Sequence, residues 1–453
     1  MKGLGLTALL LLLLSLLIFM FVGRPAMRAN QLKQSPGLKL ELKRTVSDWV
    51  SDSAAEPLEK LVRITSGDLW GSGSMSRRGE PLPSLRNLSH LEEVELGADI
   101  LQQVDLRGCN ALRKASVSLR GERSSIVLSG LPALEYAGVK CSGTTPIDLR
   151  DCPKLRSVYA RSPVLLGGSS AVKSLTLAES ARLPAEDWAQ LDGVETLNLN
   201  GIKAFPPLAN PAGLRELNLR NFPAELVPWT SLVGLEKIWL YDANSDVDLR
   251  SLSSLNWLYL GRSGPDTRLR LPASLPDLRV NHHSEDVLDL TRLIEFDGSF
   301  SGLSFLLPGR APVVNLPSDL IDGLDQLSLG CFDSCSDAAW EQLARAPKLR
   351  QISAAGHPSP VALKSLSTMP TLENLSIQWD MRVLAAGGGK EPIVLDGEFS
   401  VLREVQVATG MTVSLLNVPS HPKITRTPGP SQRMMDPEKA PAGSRIYVTP
   451  PHP

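Results

Sequence analysis

The 453-residue chain has no excess of either charge. Its 47 lysines and arginines are matched by 48 aspartates and glutamates, for a formal net charge of −1. Broad nucleic-acid binding draws on a basic surface, so this balance argues against it. Cysteine is scarce, with five residues at Cys109, Cys141, Cys152, Cys331 and Cys335. An odd count in so long a chain describes no disulfide framework. The expectation is buried, small apolar side chains, with Cys331 and Cys335 close enough in sequence to pair in an oxidising compartment. The six histidines are scattered, and the adjacent pair His282-His283 would point to opposite faces of a strand. No metal site is therefore expected. Catalytic signatures are lacking as well. There is no Gly-x-Ser-x-Gly elbow, no phosphate-binding loop and no His-Glu-x-x-His. Gly387-Gly388-Gly389-Lys390 lacks the spacing and the following Ser or Thr of a phosphate loop and reads as a flexible turn. The expectation is a protein that is not an enzyme, with no catalytic residue and no cofactor. Aromatics make up only 5% of the chain, so any cluster of them is informative.

What is present begins with an apolar run from Gly3 to Val22, interrupted only by Thr7 and Ser15. A helix of that length reaches roughly 30 Å, the thickness of a bilayer core. The run is long for a cleaved signal and ends in Phe21-Val22-Gly23-Arg24 rather than in small residues. Residues 1–23 therefore read as an uncleaved single-pass anchor, with a cleaved signal as the competing reading. Arg24, Arg28 and Lys33 after the run favour a cytoplasmic body by the positive-inside rule. The Met-Lys start and leucine run are also how exported chains begin, and the body is expected outside the cytoplasmic membrane.

The dominant pattern is a six-residue phrase: apolar, two variable, apolar, one variable, apolar. It starts at Leu91, Leu112, Leu134, Leu155, Val172, Val194, Leu214, Leu235, Leu255 and Leu275. Looser copies start at Leu293, Leu324, Leu349, Leu372 and Leu402. Steps through Leu275 are mostly about 20–22 residues. The last two apolar positions lie two apart, so they face one side of a short strand. One strand cannot bury that face alone, but parallel strands stacked about 4.8 Å apart make a continuous core.

The phrase resembles the leucine-rich-repeat consensus over roughly residues 60–410. That resemblance implies an α/β repeat solenoid, a horseshoe with a parallel β-sheet on its concave face. The consensus asparagine is mostly absent; Phe222, Ala243 and Phe332 sit where it would fall. A second phrase, Val104-Asp-Leu106-Arg-Gly-Cys109, recurs at Ile147-Asp-Leu149-Arg-Asp-Cys152 and Val247-Asp-Leu249-Arg250. It is similar to the convex-side strand of repeats that lack helices. Cys109 and Cys152 would lie about two coils, near 10 Å, apart, too far for a disulfide. Capping and helical spacing at Ser336, at Ser359-Pro360 and over Leu183–Leu191 predict short helices. The convex side should thus be strand-rich early and helix-containing late. The expected organisation is an anchor at 1–23, linker and cap at 24–60, solenoid at 61–418 and a structureless proline-rich tail at 419–453.

In each strand the variable residues face solvent, and stacking brings those of successive coils side by side. The coil at Leu214 offers Glu216, Asn218 and Arg220; the next offers Lys237, Trp239 and Tyr241. Trp257 and Tyr259 follow, then Asp277, Arg279 and Asn281, then Glu295 and Asp297. Tyr136, Tyr159 and Trp379 are isolated candidates. Trp, Tyr and Arg dominate binding hot spots. The partner-binding residues read from this pattern are Arg220, Lys237, Trp239, Tyr241, Trp257, Tyr259, Asp277 and Arg279. The expected partner is a protein, or else a glycan; a structural or adhesive envelope scaffold is the competing role. Aromatic pairs that only stabilise the sheet face are the plainer alternative.

Overall fold

The structure is a computed structural model. It describes residues 38–42, 61–66, 85–98, 103–119, 124–142, 145–167, 171–241, 243–261, 267–280, 288–295, 299–305, 313–378, 393–397, 399–408, 411, 413–418, 420, 422–427 and 446–448. The anchor at 1–23 lies outside these residues. Among the described residues no helix is long and apolar enough to cross a membrane. The chain divides into two units, Met1–Leu214 and Arg215–Pro453.

Both units have a leucine-rich-repeat solenoid architecture. In the first, the strands Leu61–Ser66, Glu93–Ala98, Lys114–Leu119, Tyr136–Cys141, Ser157–Ala160, Ser174–Ala178 and Thr196–Asn200 pair in parallel, each with the next. Leu38–Leu42 adds an antiparallel strand to Leu61–Ser66. A second parallel sheet of Gln103–Asp105, Ser125–Val127, Ile147–Asp148 and Val164–Leu165 holds the other side. In the second unit the parallel ladder runs from Glu216–Arg220 through Lys237–Tyr241, Trp257–Leu260 and Ser274–Val280 to Ser299–Phe305. It continues through Gln326–Leu329, Gln351–Ala355, Asn374–Gln378 and Glu404–Ala408 to Lys423–Thr427.

The repeat phrase sets the core directly. Leu217, Leu219, Ile238, Leu240, Leu258, Leu260, Leu278 and Val280 are each at most 1% exposed. Phe222, Ala243 and Phe332, standing where an asparagine would fall, are buried too, so apolar packing replaces a polar ladder there. Coil-to-coil hydrogen bonds come instead from small donors. The Cys109 and Cys152 thiols donate to the carbonyls of Leu85 and Leu128 at 3.2 and 3.3 Å. The Thr267 hydroxyl donates to Ala243 O at 2.8 Å.

The Asp-Leu-Arg phrase folds into a local clamp. In Asp105-Leu106-Arg107 the arginine backbone N–H and Nε both donate to the aspartate Oδ1, at 3.1 and 3.0 Å. Asp148 with Arg150 and Asp248 with Arg250 repeat the geometry. The intervening leucines Leu106, Leu149 and Leu249 are fully buried. In the first two clamps a left-handed residue follows the arginine, Gly108 at φ 78° and Asp151 at φ 58°.

Later coils carry helices on the second side, as the capping signals predict. Ser336 caps Asp337–Leu343 by accepting from the Ala339 N–H at 3.2 Å. Ser359 caps Pro360–Thr368 by accepting from the Ala362 N–H at 3.1 Å. Within the first unit, Ala185–Trp188 is the short helix expected near Leu183–Leu191. Strands return on the second side at the end, where Ile393–Asp396, Val413–Leu416 and Ile446–Val448 pair in parallel.

The five cysteines are buried, as expected, with Cys331 Sγ 3.3 Å from Ser334 Oγ. Two other expectations change. The copy expected at Leu293 is not a face strand: Ile294–Glu295 belongs to the second-side sheet, beside Leu269–Arg270. Asp289 caps the turn Leu290–Leu293, accepting from the Thr291 N–H at 3.0 Å, and the chain reaches the face only at Ser299–Phe305. The face ladder also passes residue 418, because the β-branched Ile424, Thr425 and Thr427 supply a further strand.

An aromatic face as candidate binding site

Four consecutive strands of the second unit place the eight sequence-derived residues on one side of one sheet. Register fixes them into rows that cross the strands. One row reads Glu216, Lys237, Trp257, Asp277, Gly302. The next reads Asn218, Trp239, Tyr259, Arg279, Ser304. Arg220 and Tyr241 begin a third. The alternation of buried and more exposed positions along Glu216–Arg220, Lys237–Tyr241, Trp257–Leu260 and the end of Ser274–Val280 turns the side chains that these four strands contribute outward.

The rings touch in a chain. Trp239 and Trp257 have centroids 4.5 Å apart and tilted by 53°, and Trp257 stacks on Tyr259 at 6.1 Å and 15°. Tyr241 and Tyr259 lie 5.1 Å apart at 46°. Cations cover one end, at Tyr241, and the interior ring of Trp257. The Arg220 guanidinium sits 5.1 Å from the Tyr241 ring centre, and that of Arg279 sits 5.4 Å from Trp257. Burial, then the neighbouring Tyr259, pushes the Tyr241 hydroxyl pKa up, against a smaller opposing pull from Arg220.

Most charges on the face are neutralised within it. Lys237 Nζ pairs with Glu216 Oε1 at 2.8 Å, a hydrogen bond that raises the lysine pKa. Arg279 donates through Nε and Nη2 to Asp277 Oδ2, both at 3.0 Å. Arg220 is exposed and pairs with no carboxylate among the described residues.

Two glycines shape the face, and neither is visible in a pattern of large outward side chains. A Cβ at Gly261 would stand 2.9 Å from Tyr241 Cδ1 and 3.3 Å from Leu240 O, so the missing side chain makes the seat for the tyrosine ring. Gly302 ends the first row beside Asp277, where a Cβ would meet Pro276 O at 3.0 Å. The usable signal for Gly261 was a glycine directly after an aromatic strand. Glu295 is not part of the face, for the reason given above. Asn281, Asp297 and Trp379 lie outside the described residues.

In the first unit, Tyr136 and Tyr159 are not isolated. They flank Gly138, with the Tyr136 hydroxyl 2.9 Å from where a Cβ would stand. Arg161 holds Tyr159 by donating from Nε to its hydroxyl at 2.7 Å, and Arg161 also pairs with Glu179 at 3.2 Å. Among the described residues no three His, Cys, Asp or Glu side chains gather as a metal site.

No family model matches the chain, and no curated protein matches it. Among solved structures, an internalin from Listeria monocytogenes is similar at 12% identity, over 89% of this chain and 92% of that one, with a TM-score of 0.25. A superposition that loose gives no residue correspondence.

Proposed function

We propose that this chain is a non-catalytic binding protein whose partner, a protein or a glycan, docks on the face formed by Glu216–Arg220, Lys237–Tyr241, Trp257–Leu260 and Ser274–Val280. In this reading residues 1–23 hold it at a membrane as a single pass, with the solenoid outside the cytoplasm. The observation that carries the binding role is the ring chain itself. Four large aromatics, half-exposed, are fixed against one another and against two arginines on adjacent strands. Rings held in place by their neighbours lose little side-chain freedom when a partner arrives, which lowers the entropic cost of association. Trp, Tyr and Arg at the centre of a patch, with paired charges around them, is also the composition of an energetic hot spot.

The test is a pull-down with the full chain, comparing wild type with Trp239→Ala/Trp257→Ala. Loss of a hot-spot residue costs at least about 2 kcal/mol, roughly 30-fold in Kd. The double variant should release the partner while keeping its thermal midpoint within a few degrees of wild type. Parallel loss of stability and binding would mean that the rings serve only the sheet. Protease access on intact cells tests the orientation.

A further inference from the structure

Resting on that reading, we infer that the partner is a protein presenting an acidic side chain to Arg220, with an apolar side chain two positions away on an extended segment. Two observations lead there. The first is how the ring faces are used. A sugar ring stacks on a bare aromatic face, but Arg279 lies over Trp257, Arg220 lies over Tyr241, and Tyr259 stacks on Trp257. Guanidinium groups thus cover faces of two of the four rings, a surface that suits charged and apolar side chains better than a pyranose face.

The second observation is charge. Glu216 and Lys237 neutralise each other, as do Asp277 and Arg279. Arg220 is left as the one cation of the patch with no carboxylate among the described residues, exposed, and held over the Tyr241 ring. A stacked guanidinium is pre-organised for carboxylate, since its planar fork keeps its donors while the ring fixes its plane. The spacing then follows from the sheet. Arg220 stands opposite Tyr241 and diagonal to Trp239, a separation of about 7–8 Å. Alternate residues of an extended peptide are about 6.7 Å apart on one face. An acidic residue on Arg220 therefore brings a side chain two positions away over Trp239.

The experiment pans a random seven-residue peptide library on the full chain, on Arg220→Glu, on Arg220→Gln and on Trp239→Ala/Trp257→Ala. Wild type should enrich Asp or Glu two positions from an apolar residue. Arg220→Gln should lower affinity for the selected peptides by about ten- to hundredfold, and Arg220→Glu should shift selection towards Lys or Arg. The tryptophan double variant should lose the apolar preference. Selection with no acidic bias, or a bias that survives in Arg220→Glu, overturns the inference while leaving the binding face standing. No peptide selection that depends on Trp239 and Trp257, or such dependence only on a glycan array, overturns the inference. Absence of any such dependence on either kind of ligand also overturns the face.

Discussion

Gly261→Ala is the sharpest test of how the aromatic face is built. The new methyl would lie 2.9 Å from Tyr241 Cδ1, and the Leu240 carbonyl at 3.3 Å prevents it from moving away. The backbone of Gly261 is not left-handed, so alanine brings no φ strain of its own. The tyrosine must leave its seat and give up its contacts with Tyr259 and Arg220, each centred at 5.1 Å. An aromatic pair contributes about 0.5–1.5 kcal/mol and an exposed cation–π contact about 0.5–1 kcal/mol, so the clash costs about 1–2.5 kcal/mol. Alanine also removes freedom from the unfolded chain, which returns about 0.4–1 kcal/mol. The single variant is therefore a blunt readout, and a double-mutant cycle is the better one. Urea unfolding of wild type, Gly261→Ala, Tyr241→Ala and the pair cancels the unfolded-state gain. The coupling between the two sites should be about 1–2.5 kcal/mol, with Gly261→Ala neutral or stabilising once the ring is gone. Additivity within about 0.5 kcal/mol would refute the seat.

Three further outcomes follow from other parts of the chain. The Asp248 carboxyl is lowered from 3.8 to about 2, chiefly by the hydrogen bond from Arg250. A depressed folded pKa gives stability that is present above pH 4 and lost as pH falls towards 2, so Asp248→Asn should flatten the acid-side fall of the thermal midpoint. The pair is largely exposed, which holds the effect to about 1 kcal/mol or less. Trp340 is 1% exposed and donates to Phe332 O at 3.3 Å; Trp340→Ala should cost about 3–5 kcal/mol in urea unfolding. Burial, then Cys331, pushes the Cys335 thiol up to about 12, so Cys335 should resist a thiol reagent at pH 8 until urea is added, and fast labelling of the folded chain at Cys335 would contradict that burial.

The repeat was legible because its geometry is local. Leucines two apart on a strand, spaced by one coil, require a stacked parallel sheet whatever the other residues are, and Leu217 with Leu219 or Leu258 with Leu260 obey that requirement without exception. The misreading at Leu293 has the same root. Its apolar spacing loosely fits the phrase, but which sheet it joins is decided by Asp289, whose capping bond turns the chain early, and by the partner Leu269–Arg270. Neither appears in the spacing. The eight face residues were likewise legible one strand at a time, since alternation says which side chains point outward. Their chemistry was not, because it depends on neighbours across strands. Arg220 lies over Tyr241 with no aspartate two residues before it, whereas Arg279 lies over Trp257 and is held by Asp277. Tyr241 lies as it does only because Gly261, one coil on, has no side chain. A reading that scores large, polar or aromatic residues passes over such a glycine. On a solenoid face, where every position has a lateral neighbour, the gaps decide the orientation of the rings as much as the rings themselves do.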